Sequence, residues 1–447
     1  MTAVSPPVSV APRPAAFSLS NRLARAMAAR GLFYGWAVVG ATFLVMLATA
    51  AAMSAPGVII QPLEREFGWS TAQISVALSL RLALFGLIAP FAAAFINRFG
   101  VRVVVVTAVC MVSVGLLASL AVTQVWQLVA LWGVVVGIGT GMIALVLGAT
   151  IATRWFVERR GLAVGLLTAS NATGQLIFLP LVAKLSEAYG WRGALVFSVC
   201  LLLAAGAVAL FFLRDRPSDV GLPPLGARAV EPPPRLDSSL VAMMASPLRA
   251  LRAASGNRTF WVLFATFFVC GLSTNGLIQT HWVSLCGDYG IAPVAAASAL
   301  AVIGAFDFVG TILSGWLSDR CDNRWLLFVY YGLRGLSLLA LPFTNFSVLG
   351  LSAFAVFYGL DWVATVPPTV RLTAEKFGAE RANLTFGWIF VAHQLGAATA
   401  AFGAGLSRTD LSTYLPALYV AGAACLVAAG LALTIGRRPQ KAAVAAA

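Results

Sequence analysis

The sequence predicts an all-α membrane protein in which twelve transmembrane helices form two pseudo-symmetric bundles of six. Three observations carry that prediction. Hydrophobic residues make up 60% of the 447-residue chain, against about 45–50% in soluble domains, which is more apolar surface than one globular core can hide. Apolar runs of roughly 20 residues, the length of a bilayer-spanning helix, recur at 32–60, 71–96, 101–121, 125–152, 161–187, 191–213, 259–286, 294–317, 324–344, 347–370, 382–406 and 411–435. The third observation is a repeat. The charged turn Gly315–Arg324 separates two apolar runs, and 222 residues earlier Ala93–Arg102 has the same layout, with Arg98 over Arg320, Arg102 over Arg324 and Asn97 over Asp319. The same offset lays Glu158-Arg159 on Glu380-Arg381, Gly165 on Gly387, Gly174 on Gly396 and Gly68 on Gly290. The chain therefore divides into a tail (1–31), a first bundle (32–213), a linker (214–258), a second bundle (259–435) and a tail (436–447).

Charge fixes the orientation. The net charge of +14 suggests nucleic acid in a soluble protein, but here its distribution matters more. Arg65, Lys184, Arg192 and Arg408 fall on one face and Arg81 and Arg334 inside spans; every other Lys and Arg lies in the tails and the loops on the opposite face. By the positive-inside rule that face, with both termini, is cytoplasmic, in the plasma (inner) membrane, and no nucleic-acid partner is implied. The 6 cysteines lie in or at the ends of spans without metal-like spacing and read as small buried hydrophobes. Two histidines exclude a His-rich metal centre, and no cofactor is expected. No GxxxxGK[ST] loop occurs, which argues against ATP hydrolysis by the chain itself. A nucleophile with its base at membrane depth is lacking too, so an enzyme is not expected. The first 31 residues hold no apolar core of signal-peptide type.

Along the chain, residues 1–20, rich in Pro, Ala, Ser and Val, read as an unstructured tail. Arg22, Arg25 and Arg30 flank apolar Leu23 and Met27 as an anchor on anionic lipid. The first span opens with interfacial aromatics (Phe33-Tyr34-Gly35-Trp36) and ends in small residues before Pro56-Gly57, where it can bend. The second carries Arg81 well inside. A charge there costs roughly 2.5–3.5 kcal/mol on insertion scales, so it faces water, a carboxylate or a substrate anion, or snorkels to the outer interface. In the fourth span Gly133, Gly137 and Gly141 form a smooth stripe for close helix packing. The fifth places Ser170-Asn171-Ala172-Thr173-Gly174-Gln175 at mid-depth, where polar amides need partners. The Pro- and Arg-rich linker contains Leu240–Met244, predicted as a short surface helix. The second half is more polar inside: Ser273-Thr274-Asn275 and Gln279-Thr280-His281, then Asp307, Arg334, Asp361 ahead of Pro367-Pro368, and His393-Gln394. Under the offset His393 coincides with Asn171, so two related helices each put a hydrogen-bonding residue at one depth, as a central site between repeats needs.

Twelve spans, a duplicated six-helix unit and the repeated charged turn resemble the major facilitator superfamily over about residues 30–435. The turn Gly315–Arg324 matches that superfamily's signature between helices 2 and 3; its first-half copy departs from it at Asn97 and Ala93. The resemblance implies a cytoplasmic gate held by Asn97, Arg98 and Arg102 with Asp319, Arg320 and Arg324. Within the superfamily, Tyr34-Gly35-Trp36, Phe67-Gly68-Trp69-Ser70 and Arg154-Trp155-Phe156 resemble the monocarboxylate porter and oxalate:formate antiporter group. That group often carries an Asp and, four residues on, a carboxylate-binding Arg on helix 8; here Asp307 fits the first and Thr311 replaces the second. Ser54 and His393 lie near the positions of the lysines that some members use.

The expected activity is secondary transport of a small organic solute, a monocarboxylate-like anion, by alternating access with proton coupling or exchange, performed by a monomer in the lipid bilayer. Arg81, Asn171, Asn275, Asp361 and His393 are expected to line a midplane cavity walled by Phe306, Tyr358 and Trp362. Asp307 or Asp361 is expected to pair with Arg334 and to exchange a proton as the pair rearranges; the alternative is a fixed structural ion pair. An efflux pump for lipophilic compounds and a non-transporting substrate sensor are the competing readings.

Overall fold

The computed structural model describes residues 19–143, 146–227 and 240–436. Expectations about residues 1–18 fall outside them. The described chain is helical throughout, and its one β feature is an isolated bridge between Phe156 and Leu225. We number the spans α1 (Gly35–Phe67), α2 (Thr71–Phe99), α3 (Val101–Ser119), α4 (Val125–Trp155), α5 (160–189), α6 (191–212), α7 (Arg258–Asp288), α8 (Pro293–Ser318), α9 (Asn323–Thr344), α10 (Val348–Phe377), α11 (Ala379–Leu411) and α12 (Leu415–Leu433). Among the described residues eleven helices are long and apolar enough to cross a membrane. The twelfth span comes from the helix running from Arg160 to Phe212, which breaks at Gly190 (φ 73°, ψ 168°) and so supplies both α5 and α6.

Local chemistry explains the boundaries. α1 stops at Gly68, which takes the left-handed φ of 67° that a side chain resists. Ser70 then caps α2 reciprocally with Gln73, and Phe67 stacks on Trp69 at 4.5 Å. The opening of α1 packs on the end of α4: Trp36 lies 4.8 Å from Phe156 and Tyr34 lies 5.9 Å from Trp155, ring to ring. The Tyr34 hydroxyl also donates to the Phe212 carbonyl at 2.7 Å. These two aromatic motifs, distant in sequence, form one cluster.

The internal repeat survives in three dimensions. Gly68 and Gly290 both have positive φ after α1 and α7, and Gly190 and Ser412 both do so after α5 and α11. Gly174 sits against Ala50 and the Leu47 carbonyl where α5 crosses α1; Gly396 sits against the Phe268 carbonyl where α11 crosses α7. The glycine stripe of α4 packs as expected: Gly133 against Leu80, Gly137 against the backbone of Arg81, and Gly141 against Ile88 and the Phe85 carbonyl, all on α2.

The halves meet mainly where α2 runs along α11, with α1 against α7 and α5 against α8. The Ser79 hydroxyl donates to the Ala398 carbonyl at 2.7 Å, and the Ala72 N–H at the start of α2 donates to the Thr409 hydroxyl at 2.9 Å. Gly57 lets α1 approach the Gln279 carbonyl, which is 3.1 Å from where a Cβ would stand. Among the described residues each ion pair joins two groups of the same half. The seam is thus held by small residues and hydrogen bonds. The helix Leu240–Ser255, longer than the expected surface helix, touches both halves beneath that seam, where the Pro247 carbonyl accepts from the Trp388 indole at 2.8 Å.

Candidate functional site

Arg81 occupies α2 between contacts to both neighbours: its backbone meets Gly137 of α4, and the adjacent Leu82 packs on Ala397, Ala398 and Ala401 of α11. Its side chain is 4% exposed, which rules out snorkelling into an interface. Nε and Nη1 are buried without a hydrogen-bond partner, and no carboxylate among the described residues pairs with the guanidinium. Four residues on, on the same helix face, Phe85 packs on Met53 of α1 and on Phe390 of α11, 5.8 Å ring to ring.

His393 meets that aromatic pair from the other half. Its ring stacks on Phe390 (5.8 Å, 14° between planes) and tilts against Phe267 of α7 at 5.1 Å. It is buried, and its Nδ1 has no partner. α7 and α11 approach most closely here, because a Cβ on Gly271 would run into the His393 carbonyl. Gln394, next in sequence, lies over Gly86 of α2 with Oε1 likewise unpartnered. Asn275 is half-buried in a π-helical stretch of α7, Leu272–Gln279, whose widened turn lets the Asn275 carbonyl accept from the Thr280 hydroxyl at 2.7 Å. Such turns concentrate at functional positions. The Asn171 side chain lies outside the described residues.

The expected coupling residues separate into two tasks around one feature, the interruption of α10 at residues 362–365 between Val348–Asp361 and Val366–Phe377. A broken helix leaves backbone carbonyls and N–H groups that must be satisfied at depth. Arg334 serves the carbonyl side: Nη2 donates to the Asp361 and Trp362 carbonyls, while Nε pairs with the Asp361 carboxylate at 2.6 Å. Asp307 serves the other side: Oδ1 accepts the Val363 N–H at 2.9 Å and the Thr311 hydroxyl at 3.0 Å. Thr311, standing where the related group carries Arg, thus holds the carboxylate instead of opposing it with charge. Arg334 also donates to the Cys270 thiol at 3.1 Å, and that thiol lies beside Thr365 and His393. Cys270 is therefore more than a small hydrophobe, a role its sequence context gave no sign of. Of the expected walls, the Tyr358 hydroxyl donates to the Ser273 carbonyl and its ring meets Trp362, while Phe306 packs on Gly359. All three belong to the α10 framework. An open, mainly apolar groove of 430 Å³ lined by Leu272, Leu277, Ala400, Pro416 and Val420, with Asp410 at its edge, includes neither Arg81 nor His393.

At the face where the described ends lie, the two repeated turns bind within their own halves. Arg154 donates to the Asn97 side chain at 2.6 Å and to the Asp215 carbonyl; its offset partner Lys376 donates to the Gly436 carbonyl at 2.5 Å. Asp319 pairs with Arg371. The Arg102 N–H donates to Asp215, Arg324 bonds Asp322 and the Ile435 carbonyl, and Arg320 lies over Trp316. Arg98 is exposed. Nearby Asp219 accepts the Asp215 and Arg216 N–H groups, and burial raises its pKa against their pull.

Comparison with known proteins places this architecture. The Major Facilitator Superfamily model matches residues 40–401 and again 284–446. The chain belongs to that superfamily. This transporter is 26% identical over 405 residues to the uncharacterized MFS-type transporter YcxA of Bacillus subtilis, covering 90% of this chain and 94% of that one. It is 27% identical to monocarboxylate transporter 13 of Rattus norvegicus, covering 90% and 89%. Its fold matches the partially occluded, inward-open xylose transporter XylE of E. coli (TM-score 0.67, 13% identity, 91% and 100% covered). It also matches an inward-facing, occupied bacterial homologue of the lysosomal transporter Spinster (TM-score 0.67, 16% identity, 89% and 95% covered). It is a multi-pass integral membrane transporter and not an enzyme.

Proposed function

We propose that this protein is a secondary active transporter that moves a small organic anion of monocarboxylate type across the plasma (inner) membrane, with both termini cytoplasmic, by alternating access coupled to protons or to an exchanged anion. The observation that carries the reading is Arg81, a guanidinium buried at span depth without a countercharge. Leaving it so is unfavourable; an anionic substrate supplies the missing charge and bidentate acceptors. Phe85, one turn along α2 from Arg81, with Phe390 and Met53 against it, suits an apolar body on that anion. The ion pairs among the described residues each stay within one half, so rocking the halves separates none of them. The similarity to monocarboxylate transporter 13 supports the same substrate class.

The test is uptake into proteoliposomes from a panel of radiolabelled short monocarboxylates, aromatic acids, dicarboxylates and a lipophilic cation. Uptake is expected to be confined to monocarboxylates and to fall more than about tenfold in Arg81→Gln, the scale of one lost charge-assisted contact, with partial retention in Arg81→Lys. Uptake of the lipophilic cation alone, unaffected by Arg81→Gln, would instead establish lipophilic efflux.

A further inference from the structure

Arg81 lies one helical turn before Phe85 on α2 of the first half, Phe85 meets Phe390 of the second, and His393 stacks on Phe390. We propose that His393 carries the coupled proton, and that it does so because the anion held at Arg81 stabilises its imidazolium form; this rests on the anion-site reading above. The other ionisable candidates are committed elsewhere. The Asp361 carboxylate is held by Arg334, which also caps the α10 carbonyls, and Asp307 caps the restart of α10. His393 alone of the group combines burial, an open ring nitrogen and a position on the seam between halves.

Every neighbouring element contributes to its electrostatics. α7 presents Cys270, α9 presents Arg334 behind it, α10 presents Thr365 and Asp361, α11 presents Gln394, and α2 presents Arg81 beyond Phe85. Arg334 and Asp361 cancel, so Arg81, on the helix that carries Phe85, is the charge left without a countercharge. A proton on Nδ1 would add a second cation to the first. A monocarboxylate held at Arg81 takes the local sum from +1 to 0, so the same proton brings it to +1 where without the anion it would reach +2. Binding the anion therefore draws in a proton, and by linkage a proton strengthens anion binding. Imidazole is the side chain suited to this near neutral pH. The ring is clamped between Phe267 and Phe390, so the exchange changes charge at a fixed place. No covalent bond other than N–H forms or breaks.

The probe is benzoate, ionised from about pH 5.5 to about pH 8 and able to stack on Phe85 and Phe390. Its affinity for purified transporter in lipid nanodiscs, measured by calorimetry, is expected to rise toward tenfold per unit fall in pH, the limit for one linked proton. In His393→Gln the affinity should be weak and flat across that range. Because the chain has only 2 histidines, imidazole ¹⁵N spectra of the wild type and of His281→Gln read the proton directly: benzoate should move the His393 signal toward imidazolium. A pH slope that persists in His393→Gln, or a His393 signal unmoved by bound benzoate, overturns the inference and leaves the anion site standing. Benzoate binding that survives Arg81→Gln, or none to the wild type at any pH, overturns the anion site and this inference with it.

Discussion

The same crossing is built in two ways in the two halves of this molecule. Where α3 meets α4, Gly139 lies against Val112, whose Cγ2 is 2.9 Å from the place a Cβ would take. Moved by the 222-residue offset, those positions are Asp361 and Arg334, which form the buried ion pair where α9 meets α10. The first half brings its helices together by removing a side chain, and the crossing is dry. The second spends two charges at one depth and uses them to finish the broken ends of α10. The difference teaches that the pair's first task is architectural: it sits where the sister half needs no polarity at all, but where α10, unlike a continuous helix, exposes carbonyls.

The largest effect is therefore expected from splitting the pair. Arg334→Leu strands the Asp361 carboxylate and uncaps two carbonyls, costing about 3–5 kcal/mol, the usual consequence of leaving one buried partner alone. It should appear as a lowered Tm in detergent. Transplanting the first half's solution, Arg334→Val with Asp361→Gly, should recover part of the loss, and only part, since the α10 carbonyls stay unserved. A double variant as stable as wild type would mean that the break needs no capping. Next comes the converse at the dry crossing. Gly139→Val drives a side chain into Val112 and the Ala108 carbonyl and should cost about 1–3 kcal/mol by overpacking. Relief by Val112→Ala in the same chain checks that the loss is steric.

Much of the architecture was legible in one dimension because hydropathy and the repeat are properties of spacing. The offset even located the structural twins, Gly174 with Gly396 and Gly68 with Gly290, before any contact was known. Arg81 could be read as an exception from its depth alone. What spacing does not encode is the choice between partners. Asp307 and Asp361 were equivalent candidates for Arg334 in the sequence, and the decision was made by the α10 break, whose two ends demand opposite chemistry. The offset held an unused clue, since Val112 and Gly139 lie on adjoining helices. Phe85 and Phe390, which link the helix carrying Arg81 to His393, belong to different halves and share no pattern. The residues of the two charged turns were picked out by motif, yet their partners, Arg154, Arg371 and the carbonyls of Asp215 and Ile435, come from the ends of other helices.

The comparison sharpens once more near the far ends of α3 and α4. There the polarity is reversed: the Trp132 indole donates to the Ser119 hydroxyl at 2.8 Å, and Ser119 donates to the Gly115 carbonyl at 2.6 Å. The offset turns these positions into Phe354 and Leu341, both apolar. Ser119→Ala leaves the indole N–H buried without an acceptor, yet a single hydrogen bond between membrane helices contributes only about 0.6 kcal/mol on average. The expected loss is thus about 1 kcal/mol or less, the smallest of the three, seen as a small fall in Tm. Replacing both partners by their counterparts, Ser119→Leu with Trp132→Phe, removes donor and acceptor together and should fall between the single variant and wild type. If the double variant is the worse of the two, the hydroxyl and indole are needed for shape instead of for their bond, and the two halves differ in packing rather than in polarity.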